Sequence, residues 1–183
     1  MVATLAALIL GQSSLPAKPV KLEMPDSAGV TQAIPAPKAK ATLVIFVGVD
    51  CPIANRMAPE ISRIITTYAA RGVQSYLVYP DGSLTKTQVN DHRASFELTC
   101  PGIIDRDHKL VKALGATVTP QAAIVDPKGK VRYLGRINDL YEEHGKIRPK
   151  PGRNDLRIAL DEFLNGRDIT RPVTQTVGCF IGS

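Results

Sequence analysis

Thr42-Leu-Val-Ile-Phe-Val-Gly-Val49 runs without a charge into Asp50-Cys51-Pro52-Ile53-Ala54, and this junction decides the fold. A β-branched apolar run of that length reads as a strand buried on both faces, in the middle of a covered sheet. Beyond it, Met57, Ile61, Ile64, Ile65 and Tyr68 recur at helical spacing as far as Ala70, and Gly72 ends the pattern. Cys51 therefore stands where a buried strand stops and a helix begins. The free N–H groups and the dipole of a helix start stabilise an anion. A thiolate placed there can have its pKa lowered below the free value of about 8.5. Pro52 suits the first helical turn, where its missing N–H would have had no partner. The plainer alternative is a buried structural cysteine, the common fate of a lone Cys.

Working outward, Val73–Tyr79 is a second buried strand, and Val20–Met24 is a strand entering the turn Pro25-Asp-Ser-Ala-Gly29. Thr85–Leu98 reads as a polar, solvent-facing helix, Ile103-Ile104 as a short strand, and Asp107–Leu114 as a short helix closed by Gly115. Ala122–Asp126 is a strand that turns through Pro127-Lys-Gly-Lys130 into Val131–Ile137. A long loop then reaches Gly152. Asn154–Leu164 is a capped amphipathic helix with Leu156, Leu160, Phe163 and Leu164 on one face. This order is α/β: a right-handed βαβ unit, an antiparallel hairpin and a final helix. Residues 1–17 form an extension, 18–166 the domain, and 167–183 a tail that carries Cys179.

Composition removes several classes of function. The 183 residues fit one domain, and 44% apolar with 22% charged residues is ordinary for a globular chain. No apolar run reaches the roughly 18–20 residues of a membrane span. Aromatics are only 5% and Trp is absent, which argues against a stacking platform for single strands. The formal charge of +6 is dispersed, and its dense stretch, Lys146–Arg153, is broken by Pro149, Pro151 and Gly152. No nucleic-acid partner is expected. Three cysteines are too few for a disulfide scaffold or a four-thiolate zinc site. Met1–Leu10 is apolar and precedes small polar residues, the shape of a signal peptide without its positive start. It reads as export to the periplasm or the medium. A cytoplasmic protein with a packed N-terminal segment is the alternative.

Taken in order, these residues resemble the thioredoxin superfamily, and within it the redoxin branch of peroxiredoxin-like and thiol–disulfide proteins. The strand Leu43–Val49 leads into Cys51-Pro52-Ile53-Ala54, where that family has Cys-x-x-Cys, and Pro59 stands where its active helix carries a kinking proline. Thr119-Pro120 before Ala122–Asp126 matches the family's cis-proline loop, and the hairpin and closing helix follow. Cys-Pro-Ile-x-Asn-Arg (Cys51–Arg56), Tyr133–Asn138 and Gly178-Cys179-Phe180-Ile181 are similar to motifs of a peroxiredoxin-like group of bacterial redoxin-domain proteins. The resemblance implies a thioredoxin-like fold: a central mixed sheet flanked by helices, with the extension and tail added. It implies thiol–disulfide oxidoreduction on a protein thiol or disulfide partner. Cys51 would be the nucleophile, with Thr119 and cis-Pro120 shaping its site and presenting backbone to an extended partner.

Two departures matter. Ala54 replaces the second cysteine, so a resolving thiol must come from elsewhere, and Cys179 on the tail is the candidate. Cys100 precedes a strand, away from the active ends, and reads as structural. Gly48 and Val44 stand where peroxiredoxins have the Thr and Pro of their peroxide motif, so a thiol peroxidase is the second reading. Pro52, Asn55, Arg56 and Arg136 are candidate substrate-binding residues, the arginines for an anion or for lowering the thiol pKa. Arg136 could equally pair with Asp139 or Glu142. No cofactor is expected. A non-catalytic docking module, or a copper(I) site drawing on Cys51, Cys179 and one of His92, His108 or His144, is the third reading.

Overall fold

The computed structural model describes residues 14–182. The apolar stretch Met1–Leu10, read above as signal-like, lies outside them. In chain order the elements are β1 (Leu22–Pro25), β2 (Thr31–Ile34), β3 (Ala41–Phe46), α1 (Pro52–Ala69), β4 (Val73–Tyr79), α2 (Lys86–Ser95), β5 (Gly102–Ile104) and α3 (Lys109–Leu114). There follow β6 (Val118–Thr119), β7 (Gln121–Val125), β8 (Val131–Gly135), β9 (Tyr141–Glu143), β10 (Lys146–Ile147), α4 (Asp155–Leu164) and β11 (Cys179–Phe180). Five strands form the central sheet in the order β5-β4-β3-β7-β8. β3, β4 and β5 are parallel, and β7 and β8 join antiparallel. The sheet is mixed, as the βαβ-plus-hairpin reading requires.

β3 is central, and each of its residues is buried. Its alternate side chains serve two cores. Leu43 and Ile45 pack with Ile61, Ile64 and Leu160 of α1 and α4, while Val44 and Phe46 pack with Leu110, Leu114 and Ile34 on the other face. Two covered faces are why the strand reads as an unbroken apolar run. α1 buries the stripe Ile53, Met57, Ile61, Ile64, Ile65 and Tyr68 and leaves Pro59 exposed. Each such aliphatic side chain contributes roughly 1.5–3 kcal/mol by leaving water. Gly72, with φ of 87°, turns the chain from α1 into β4.

Three sequence expectations are corrected. The helix expected over Thr85–Leu98 is α2, three residues shorter at its C-terminal end, capped at Thr85 by a reciprocal bond with Gln88. It is not wholly solvent-facing, because Val89 and His92 are buried. The long loop before Gly152 contains a small antiparallel hairpin, β9 with β10. Asn154 occupies the N-cap position of α4 but makes no side-chain cap bond. Asp155 beside it is buried and instead accepts from Arg136 and Arg153.

The tail folds back onto the domain. Leu134 N–H of β8 donates to the Pro172 carbonyl at 2.9 Å, and Thr174 N–H donates to the Leu134 carbonyl at 3.2 Å. The chain then crosses to β6, where β11 pairs antiparallel: Cys179 opposite Thr119, Phe180 opposite Val118.

Candidate active site around Cys51

Cys51 is the N-cap of α1, in extended backbone geometry at φ −84° and ψ 107°. The Ala54 N–H, one of the free donors of the first turn, points at its sulfur from 3.4 Å. On the other side the Cys51 thiol donates to the Thr119 carbonyl oxygen at 3.1 Å. The Thr119–Pro120 peptide bond is cis. Gly48 closes the third side: a Cβ there would lie 3.2 Å from the Cys51 Cβ and 3.3 Å from the Thr119 hydroxyl. The cysteine is 4% exposed.

The register of β11 on β6 brings Cys179 to the same point. All three cysteines are free thiols. Burial pushes the Cys51 thiol up, but hydrogen bonds from the Cys179 thiol, Thr119 and the Ala54 N–H outweigh it and hold it below the ordinary value. Cys179 moves the opposite way. Burial, then its hydrogen bond to Cys51 and the charge there, push it up to about 11. The two shifts are opposite in sign, so Cys51 gives up its proton more readily than Cys179.

An open cavity of about 550 Å³ meets this pair, walled by Asp50, Pro80, Gly82, His108, Thr119 and Phe180 among others. His108 is held there by its Nε2–H, which donates to the Pro80 carbonyl at 2.9 Å. The sequence marks it only as a possible metal ligand. Its place in the wall follows from β4 ending and α3 beginning at the same edge, which spacing along the chain does not reveal.

The candidate substrate residues divide. Pro52 is exposed at the first position of α1 and is not part of the cavity wall. Asn55 turns inward: its amide donates to the Val49 carbonyl at 2.8 Å, and its oxygen accepts from His92 Nε2 at 2.9 Å. That leaves His92 Nδ1 to accept from the Tyr79 hydroxyl, also at 2.9 Å. The chain Tyr79–His92–Asn55–Val49 is a buried strut under the turn that holds Cys51. Burial lowers the His92 pKa, with Asp50 offsetting part of the effect, so the ring is neutral as this bonding requires.

Arg56 is exposed and lines a separate groove with Met57 and Glu60. Arg136 does not reach the cavity. Its guanidinium donates to Asp155 at 2.7 Å, not to Asp139 or Glu142. Cys100 is buried at the far end of the sheet, and burial pushes its thiol up to about 12. The copper reading finds no support in the geometry. Among the described residues no three His, Cys, Asp or Glu converge as metal ligands. His92 is spent on the strut, and His144 lies exposed on the β9–β10 hairpin.

A buried strand delivering a cysteine to a helix start, with a cis-proline turn laid against the sulfur, defines a thioredoxin-like thiol protein. The Redoxin family model matches residues 12–145, and the chain belongs to that family. Two solved structures share nearly its whole length. A hypothetical protein from Sinorhizobium meliloti 1021 is 23% identical, with 93% of this chain and 94% of that one covered and a TM-score of 0.79. An uncharacterized conserved protein from Geobacillus kaustophilus is 21% identical, with 94% of each chain covered and a TM-score of 0.81. StoA from Bacillus subtilis shares the fold at 19% identity and a TM-score of 0.56, over 82% of this chain and 98% of that one. Among curated proteins, the thiol-disulfide oxidoreductase ResA of Geobacillus thermodenitrificans (strain NG80-2) is 27% identical over 97 residues, 53% of this chain. The match spans 55% of that relative's length.

Proposed function

We propose that the chain is a thiol–disulfide oxidoreductase acting on protein partners, with Cys51 as the nucleophile and Cys179 as the resolving thiol. The observation that carries this reading is the register that sets Cys179 opposite Thr119, whose carbonyl oxygen lies 3.1 Å from the Cys51 sulfur, so that both thiols line one cavity. The 27% identity to a thiol-disulfide oxidoreductase supports it. In the reduced protein the Cys51 thiolate attacks one sulfur of a partner disulfide and expels the other as a thiolate, which takes up a proton. Cys179 gives up its proton and attacks the Cys51 sulfur. The partner's second thiolate leaves, and a Cys51–Cys179 disulfide remains. Two electrons pass from the dithiol to the partner, and the reverse sequence oxidises a dithiol partner.

A disulfide is favoured over a peroxide as the acceptor. The described cavity wall contains no Arg or Lys, and the candidate Arg56 and Arg136 stand elsewhere. The test is a thiol count on the purified protein, oxidised and reduced, with peptide mapping. A reversible Cys51–Cys179 bridge is expected. Three free thiols after mild oxidation would overturn the assignment of Cys179.

A further inference from the structure

Beside Cys51 the backbone edge of β6 is already occupied by the protein's own chain. Cys179 and Phe180 pair antiparallel with Thr119 and Val118, and Ile181 N–H donates to the Thr117 carbonyl at 3.0 Å. The occupant is thus a short extended segment whose cysteine stands opposite the residue that touches the Cys51 sulfur. An extended polypeptide adds to a sheet edge in the same way, its backbone giving affinity and its side chains specificity.

This segment is held by a short strand pairing and by the partly buried Val177, Cys179 and Ile181, and it is firmly rooted. Its paired strand is two residues long, and Phe180 is 84% exposed. Its root is anchored by the backbone bonds of Pro172 and Thr174 to Leu134 and by the Thr174 hydroxyl, which accepts from the Arg136 N–H at 3.0 Å and shares a bond with the Tyr133 hydroxyl at 2.9 Å. Gln175, Thr176 and Val177 between root and strand are in neither helix nor strand. Gly178 is pressed so close to β6 that a Cβ would run into the Thr119 carbonyl.

The geometry points to residues 178–182 being a displaceable internal stand-in for an extended, cysteine-bearing polypeptide: they lift from β6 while rooted at Thr174, the partner strand docks on Val118–Thr119, and their return brings Cys179 back to Cys51. The inference rests on the disulfide-exchange reading above and adds to it that the chain's own segment occupies the docking edge and must leave it, and the order of events. The partner docks and forms the mixed disulfide with Cys51 while the segment is away. When the segment returns, Cys179 attacks Cys51, and the re-formed β11 competes with the partner for the same edge. About five residues of extended chain span roughly 17 Å, so Cys179 never leaves the neighbourhood of the site. A short tether of this kind holds its free end at an effective concentration on the order of millimolar.

Gly178→Ala tests this, because it lifts the segment without removing Cys179. The reduced full-length chain is mixed in single turnover with two disulfides. One is a short cysteine peptide carrying thionitrobenzoate, and the other is the small symmetric disulfide of the same reagent. The first step is read by release of the coloured thiolate and the second by release of the peptide. The ratio of peptide to small-disulfide attack is expected to rise about tenfold in Gly178→Ala, as for a competent state roughly one-tenth populated in the native chain. Peptide release is expected to slow. A chain ending at Thr176 must show the same rise, with the peptide left bound to Cys51. An unchanged ratio in both variants, with Cys51 still reactive, would overturn the docking edge alone. No reaction of Cys51 with either disulfide would overturn the exchange reading itself.

Discussion

The sulfur of Cys51 lies 3.1 Å from the carbonyl oxygen of Thr119, and Thr119 is the residue that faces Cys179 across the β6–β11 pair. One backbone position therefore touches the nucleophile and sets the register of its neighbour.

The first expectation concerns ionisation. Cys51 is held below the ordinary thiol value, so more of it is thiolate at neutral pH than of a free cysteine, and it is alkylated faster there. Cys179→Ala removes a hydrogen-bond donor to the thiolate. The Cys51 pKa should then rise and its alkylation near pH 7 should slow several-fold. Iodoacetamide labelling against pH, resolved by peptide mass, reads both. A pH profile unmoved by Cys179→Ala would show that the bond does not act.

The second concerns Gly48. A methyl group there meets the Cys51 Cβ and the Thr119 hydroxyl at distances tighter than ordinary contact. Gly48→Ala should cost about 1–3 kcal/mol in urea denaturation, the usual penalty of overpacking. It should also change the Cys51 labelling rate. A surface control, Arg56→Ala, should stay within about 0.5 kcal/mol.

The third concerns the strut. His92→Phe keeps the ring volume but leaves the Tyr79 hydroxyl and the Asn55 oxygen without their partner. Stranding buried polar groups costs about 1–3 kcal/mol each. Loss of stability together with an altered Cys51 pH profile is expected, since Asn55 also holds the Val49 carbonyl in the turn before the cysteine. His92→Gln, which can still hydrogen-bond, should recover part of both effects.

The fourth separates Arg136 from the chemistry. Arg136→Ala leaves the buried Asp155 with Arg153 as its remaining guanidinium. A loss of about 1–3 kcal/mol is expected, less than for a fully stranded buried charge because Arg153 stays. The single-turnover rate of Cys51 with a small disulfide should be unchanged. A loss of rate at full stability would restore Arg136 to the site.

Much of the frame was legible because it is written in local pattern. The run Thr42–Val49 announced a strand covered on both faces, and Cys51-Pro52 announced a helix start. That Thr119-Pro120 would lie against the cysteine came from the family resemblance, not from local pattern. Cys179 was legible as a thiol on a segment able to cross the domain, though not that it would form a strand with β6. What stayed hidden depends on partners far along the chain. Asn55 looks like a substrate contact until His92, on a helix that reads as polar, is seen beneath it. Arg136 looks free until α4 presents Asp155. A polar side chain's partner is chosen by packing, and periodicity carries no record of it.

The long separation of Cys179 from Cys51 along the chain gives oxidation a mechanical meaning. A bond between them would cinch a loop of roughly 130 residues that takes in every element after β3, where the usual short motif would cinch only one turn of helix; restricting the unfolded chain to that extent is worth about 4–5 kcal/mol in the chain-entropy account. The melting temperature would then be a gauge of redox state, the oxidised form outlasting the reduced one on heating. Each turnover would alternately clasp and unclasp the fold.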